Sequence, residues 1–259
     1  MTAEPGLANA GGGAAVGEGG ANADGGAAIR PIIAIDGPAA AGKGTLARRI
    51  AAAFGLPYLD TGLLYRAVGR RVLDAGGDPA DPATAEASAR ALVPADLERS
   101  DLRGPQADAA AAAVAAIPGV RAALLAFQRS FGAERGAVLD GRDIGTVIFP
   151  DAGAKLFVTA SLEERAHRRW LELAAKGVAA NLATVEQDMR ARDAQDAART
   201  AAPLRPAWDA VLLDTTALDA EAAFQAAMQA VQRKLANEPV SSPSPCGRGL
   251  RGGVDPAPS

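Results

Sequence analysis

Cysteine, histidine and lysine are nearly missing from this chain, and each shortage narrows what it can do. The single cysteine among 259 residues is Cys246, which excludes an internal disulfide and a cysteine-based zinc site and fits a reducing cytosol. The single histidine, His167, leaves little for histidine–metal chemistry and reads as a surface or packing residue. Long hydrophobic runs are also missing: the longest, Ala109 to Ile117, has nine residues, against the ~20 that a membrane span needs. Nor is there an excess of positive charge. Lys and Arg number 27 against 30 Asp and Glu, a formal charge of -3, so no global basic field exists to hold nucleic acid.

What is present is a hydrophobic content of 49%, enough for a sizeable core in one or two domains. The ends differ in composition from the rest. Residues 1–28 contain nine Gly and nine Ala with three acids, and lack the basic start and compact apolar stretch of a signal peptide. They read as a disordered leader. Residues 238–259 hold five Pro, four Gly and four Ser and read as a solvated tail. The body, residues 29–237, balances 25 basic against 25 acidic side chains, so any anion site in it must be local.

Within the body, short β-branched or apolar runs alternate with longer helical patterns. The runs are Ile32–Asp36, Tyr58–Asp60, Ala137–Asp140, Lys155–Thr159 and Val211–Asp214. Strands separated by helices predict a three-layer α/β fold around a five-stranded parallel sheet. Several runs end in Asp, and ligands of such sheets bind beyond the C-terminal strand ends, which places Asp36, Asp60 and Asp140 near one another. Helix starts are predicted at Ser161 with Glu164 and at Thr184 with Gln187, each a capping box, and at Asp219. Gly177 is placed to stop the first of these helices, the second should run to about Thr200, and the last should run toward Leu235. The Ala-rich stretch from Pro79 to Phe131 is helical in pattern, broken at Gly104-Pro105 and Pro118-Gly119. Trp170 and Trp208 read as packing residues.

The feature with the clearest chemistry is the strand Ile32–Asp36 followed by Gly37, Pro38, Ala39, Ala40, Ala41, Gly42, Lys43, Gly44 and Thr45, and then a helix through Phe54. Glycines let backbone N–H groups close around phosphate oxygens, the helix N-terminus adds partial positive charge, and a lysine reaches the terminal phosphates. Only four residues of the chain are Lys, so a lysine at the position that needs a flexible point charge argues against compositional bias. Lys43 should be exposed in this loop. Gly44 stands where switch GTPases and most ATPases carry the magnesium-binding Ser or Thr, which suggests a magnesium held mostly by phosphates and water. Arg192, Asp196 and Arg199 share one helical face, as do Arg165, Arg168 and Arg169. Alone, each face is a solvated salt-bridge ladder; beside a phosphate loop, they supply the dispersed positive charge that phosphoryl transfer requires.

Two further segments, Asp60-Thr61-Gly62-Leu63-Leu64-Tyr65-Arg66 and Asp140-Gly141-Arg142-Asp143-Ile144-Gly145-Thr146, complete a pattern that closely resembles the bacterial cytidylate kinases. The stretches Ser161–Arg169, Arg192–Arg199 and Ala202-Pro203-Leu204 add to it. The resemblance runs from about Pro31 to Leu235 and implies a P-loop NTPase-type fold, ATP as phosphoryl donor with Mg2+, and CMP or dCMP as acceptor. It implies that Gly37 to Thr45 bind the ATP phosphates and that Arg66, Arg142 and Arg199 bind the acceptor phosphate, with Thr61 nearby. Arg121 and Asp143 would contact the cytosine, and Arg192 and Asp196 the ribose. Arg165, Arg168 and Arg169 would act with Lys43 and Arg142 in catalysis from a helical lid over about 161–200. The acceptor-binding insertion falls at about 62–131, and the enzyme would be a cytoplasmic monomer with no nucleic-acid or membrane partner.

Three departures stand out. The long form of the family has a β-rich insertion, whereas Pro94 to Gln106 is too short and too rich in Pro, Asp and Arg for three strands, which predicts a reduced, helical acceptor domain. Ala112 replaces a Ser that helps read the base, and Gln195 stands where another lid Arg is expected; these bear on selectivity and turnover. A kinase for UMP, AMP or shikimate, or a nucleotide sensor without turnover, remains as an alternative.

Overall fold

The computed structural model describes residues 30–133, 135–200 and 202–236. The leader, the tail and Cys246 lie outside the described residues. Five parallel strands, β1 (Ile32–Asp36), β2 (Tyr58–Asp60), β3 (Ala137–Gly141), β4 (Ala154–Thr159) and β5 (Val211–Asp214), form one sheet in the order β2-β3-β1-β4-β5. All five expected runs are strands. β3 extends one residue further and β4 begins one residue earlier than the apolar runs, because pairing with β1 carries both ladders past the hydrophobic stretch.

Strand side chains alternate between two cores, as the pleat requires. Ile33, Ile35, Val138, Leu156 and Val158 face α1 (Lys43–Phe54) and α8 (Ala220–Ala236), where Leu46, Ile50, Ala227 and Val231 meet them. Ala34 and Leu139 face the opposite way. There they meet Leu64 and Val68 of α2 (Thr61–Asp74), Ala85 and Ala89 of α3 (Pro82–Arg90), Val114 of α4 (Pro105–Ala115), and Val120 and Leu124 of α5 (Pro118–Ala133). The result is three layers with the parallel sheet buried on both faces. No single helix among the described residues is long and apolar enough to cross a membrane.

Segment 61–133 consists of four helices and a 3-10 turn at Pro94–Glu98 joined by short loops, with no strand, and Pro118, which cannot continue a helix, opens α5 at 98° to α4. α2 and α4 approach so closely at Gly69 that a Cβ there would lie 2.8 Å from the Ala110 Cβ. α6 (Leu162–Ala175) and α7 (Leu182–Ala198) form a separate hairpin whose small core of Ala166, Leu173, Val185 and Met189 packs on Ala39 and Ala40 of the glycine loop. The hairpin therefore rests directly on that loop.

The cap expectations are partly corrected. Ser161 caps α6 by accepting from the Glu164 N–H, but the box is not reciprocal: Glu164 accepts from Arg168, and the Ser161 N–H donates to Thr216. α7 begins at Leu182, two residues before Thr184, because the Asn181 side chain accepts from the Ala183 N–H and captures the terminus first. It ends at Ala198, where Arg199 turns extended. Asp219 caps α8 as expected, accepting from Glu221 and Ala222. Trp208 is not a packing residue: it is 95% exposed. Trp170 is half-buried and donates from Nε1 to the Ala180 carbonyl.

Candidate active site

The glycine loop leaves β1 through Gly37, whose φ of +145 and close approach to β4 exclude any side chain: a Cβ would fall 1.9 Å from the Val158 carbonyl oxygen. Gly42, at φ +89, turns the chain into α1, so that the helix N-terminus faces the loop. Lys43, the first residue of α1, folds back and donates from Nζ to the Pro38 carbonyl at 2.8 Å. This contact corrects the expectation of an exposed lysine: Lys43 is only 6% exposed. Burial and the neighbouring Arg142 pull its ammonium down to about 7, against the upward pull of Asp140, Asp36 and Asp60. The three strand-end aspartates do gather around Lys43, as the strand pattern predicted.

A cavity of about 390 Å³ opens beyond the C-terminal strand ends, between the loop, α2, α4, the segment after β3 and the α6–α7 hairpin. Ala39, Ala40, Gly42, Lys43, Gly44 and Thr45 line one end. Gly37, Pro38 and Ala41 lie behind that wall, where they shape the loop without lining the cavity. Thr61, Arg66, Arg121, Arg142, Asp143, Arg169, Arg192, Asp196 and Arg199 line the remainder. Nine cationic and six acidic side chains face one space, in a body that is neutral as a whole.

The arginines of the cavity away from the loop are held by carboxylates. Arg121 pairs with Asp143, and Asp196 takes both Arg142, whose Nε donates to Oδ2 at 2.8 Å, and Arg199. Thr61 donates to the Asp140 carbonyl at 2.8 Å, and Tyr58 donates to the Asp140 carboxylate at 2.9 Å. Burial, reinforced by Asp60, raises the Asp140 carboxyl to about 6. Burial also raises Asp143, although Arg121 opposes it.

Two of the expected lid arginines are not in the cavity. Arg165 is buried between the Ala160 and Ala39 carbonyls and Asp193. Arg168 donates to the hydroxyl and carbonyl of Thr215, which follows β5, at 3.0 and 2.7 Å. Both brace the hairpin against the back of the glycine loop; Arg169, one residue further round the helix, is the member of the trio that reaches the cavity. Ala112 lines the cavity, whereas Gln195 is exposed and outside it. His167 is exposed beside Trp170.

The roles of two carboxylates had escaped the sequence. Asp36 is buried, and its carboxylate accepts from the Ile144 N–H at 2.8 Å and the Gly145 N–H at 2.7 Å, tying the strand that enters the glycine loop to the segment that carries Arg142 and Asp143. Its place at a strand end directly before the loop was a usable signal. Asp108 meets three arginines from inside an alanine-rich helix and had no signal at all.

A phosphate-binding loop after the first strand of a parallel β2-β3-β1-β4-β5 sheet, facing a second cationic pocket under a helical hairpin, defines a P-loop kinase of small acceptors, a phosphotransferase. The sequence comparisons narrow this class. The family model for cytidylate kinase matches residues 33–233. The chain is 66% identical over 206 residues to a cytidylate kinase of Granulibacter bethesdensis, covering 80% of this chain and 99% of that protein. It is 64% identical over 208 residues to one of Acidiphilium cryptum, covering 80% and 98%. It is 60% identical over 209 residues to one of Cereibacter sphaeroides, again covering 80% and 98%. The chain belongs to the cytidylate kinase family.

Proposed function

We propose that this enzyme transfers the γ-phosphoryl group of ATP to CMP, and to dCMP, giving ADP and the corresponding diphosphate. The observation that carries the reading is the pairing, in one cavity, of a lysine-bearing phosphate loop with an acceptor end where Arg121 and Asp143 are joined beside the arginines of Asp196. Asp143 suits an acceptor base with an exocyclic amine: a carboxylate accepts from the 4-amino group of cytosine and would face an oxygen in uracil. Arg121 would share the base, Arg192 and Asp196 the ribose, and Arg66, Arg142 and Arg199 the acceptor phosphate, with Thr61 alongside.

The chemistry asks for position and charge. An oxygen of the acceptor phosphate forms the new bond to the γ-phosphorus while the bond to the β–γ bridging oxygen breaks, and the leaving oxygen departs on ADP. The attacking oxygen is already anionic, so no general base is needed. Lys43 and the arginines offset the charge on the transferring group, and the hairpin above them excludes water. Thr45, at the start of α1, and Asp140, at the end of β3, are oxygen donors on the cavity wall close to the glycine loop that could face Mg2+. These fit an ion that arrives with the nucleotide and is otherwise ligated by phosphate and water, where it would neutralise phosphate charge. The acceptor site would be built by residues of about 62–131 and the lid by about 161–200, in a monomer of the cytosol that works on two diffusible ligands.

ADP release by the purified chain, measured with CMP, dCMP, UMP and AMP, tests the reading. CMP and dCMP should be strongly preferred. A preference for UMP or AMP, or ATP binding without turnover, would overturn it.

A further inference from the structure

Asp108 lies in the first turn of α4, outside every motif that pointed to the acceptor end. Its Oδ1 accepts from Nε of Arg66 on α2 at 3.0 Å and stands 3.9 Å from Nη1 of Arg192 on α7. Its Oδ2 accepts from Nη2 of Arg169 on α6 at 2.9 Å. The side chain is only 17% exposed. Three guanidinium groups from three helices thus converge on one carboxylate, with its two oxygens divided among them. This is the arrangement they would offer to an oxyanion of a ligand. The position of Asp108 is set by the backbone: one turn away from Arg66, Gly69 brings α2 against Ala110 of α4, with no space for a side chain between them.

We propose that Asp108 is an affinity-determining residue, the internal counter-anion shared by Arg66 of the acceptor-phosphate set, Arg192 of the ribose pair and Arg169 of the hairpin. This rests on the acceptor reading above. Without nucleotide, Asp108 holds Arg66, Arg169 and Arg192 together against their mutual repulsion; Glu172 also takes Arg169 at 2.9 Å, but Asp108 is the carboxylate that all three share. The phosphate dianion of an incoming nucleoside monophosphate must then exchange with a carboxylate already in place, and it meets that carboxylate's charge at short range. The same contest loosens the diphosphate product. Asp108 therefore weakens the hold on the acceptor and shortens the life of the product complex, and it ties the acceptor helices to the α6–α7 hairpin whenever the site is vacant.

The sign of one measurement separates this from a purely structural role. Calorimetric titration of the full chain with CMP, cytidine and inorganic phosphate should be run on wild type and on Asp108→Asn, which keeps shape and removes charge. CMP should bind about fivefold tighter or more to the variant, and inorganic phosphate should tighten with it. Cytidine, which brings no phosphate and meets only Arg192 of the three, should change by less than about twofold, and KM for CMP should fall without a rise in kcat. If Asp108 only props the arginines in place, CMP binding will weaken, and that result, or no change, overturns the proposal. Asp108→Ser repeats the test should the amide variant fail to fold, and Asp108→Glu, which keeps the charge, should keep the weaker binding. A wild type that binds no CMP would refute the acceptor reading instead; the contest at Asp108 is then decided by inorganic phosphate alone.

Discussion

Replacing Asp36 by asparagine should leave the fold about as stable at pH 7 and yet slow phosphoryl transfer by roughly 100-fold. Burial pushes the Asp36 carboxyl from the ordinary 3.8 up to about 6, even though the Ile144 and Gly145 N–H groups favour the charged form. Keeping it ionised at neutral pH therefore costs about 3 kcal/mol. Asparagine removes that cost but turns an amide NH2 toward one of the two backbone donors, which leaves a buried N–H unpaired at about 1–3 kcal/mol. The two terms nearly cancel, and about 1 kcal/mol moves the melting midpoint by roughly 2–4 °C in a domain of this size. Activity has no such compensation. The lost contacts hold the two residues that follow Asp143, so Arg142 and Asp143 drift, and about 1 Å of misplacement costs on the order of 100-fold. Thermal denaturation at pH 7 and steady-state ADP release at saturating ATP and CMP read the two quantities separately. Unchanged kcat would refute the reasoning, as would a melting loss above about 5 °C that tracks the lost activity. The pH dependence carries the same signature. Because the folded carboxyl titrates above the unfolded one, the stability it contributes is full below about 4 and is lost as pH rises toward about 6. Acidification from pH 7 to 5 therefore disarms the clamp without unfolding the protein through Asp36. Relative to Asp36→Asn, wild-type turnover should fall with a midpoint near 6, while the variant keeps only the changes due to Asp140, which burial raises to about 6 as well, and to Lys43, pulled down to about 7.

Lys43→Met should abolish transfer, by about 1000-fold or more, with little change in melting temperature, because the ammonium is already destabilised by burial. Lys43→Arg should not rescue, since a planar fork cannot occupy the buried seat on the Pro38 carbonyl; appreciable turnover in either variant contradicts the role given to the loop. Asp143→Ala should narrow the ratio of kcat/KM for CMP over UMP by about tenfold or more, whereas Arg142→Ala should lower both alike; equal losses for Asp143→Ala would remove Asp143 from base reading. Gly69→Ala, whose Cβ would stand 2.8 Å from that of Ala110, should cost about 1–3 kcal/mol and raise KM for CMP while leaving KM for ATP unchanged, as two substrate titrations will show.

The strands, the glycine loop and the last helix were legible in the sequence because each is decided by neighbours within a few residues. β-branched runs choose strand, Gly37 and Gly42 supply backbone angles that other residues resist, and Asp219 caps its own helix. Arg66, Arg121 and Arg142 were legible only through the resemblance to the cytidylate kinases, whose motifs they occupy, whereas Arg199 also shares a helical face with Arg192 and Asp196. Only the tertiary structure decided which of the lid arginines faces inward. Arg165, Arg168 and Arg169 share one helical face, but that face is wide enough for Arg168 to find Thr215 and Arg169 to find Asp108. It also buried Lys43, left Trp208 in solvent, and put Asp36 against residues 108 and 109 positions away and Asp108 against arginines 42 and 61 positions away. Such contacts have no local signature, because an aspartate's helix or strand preference is the same whether its carboxylate meets water or an arginine. The partner is assigned by the crossing of backbones, here by Gly69 admitting α4 against α2, and by burial that makes an unpaired charge too costly to leave alone.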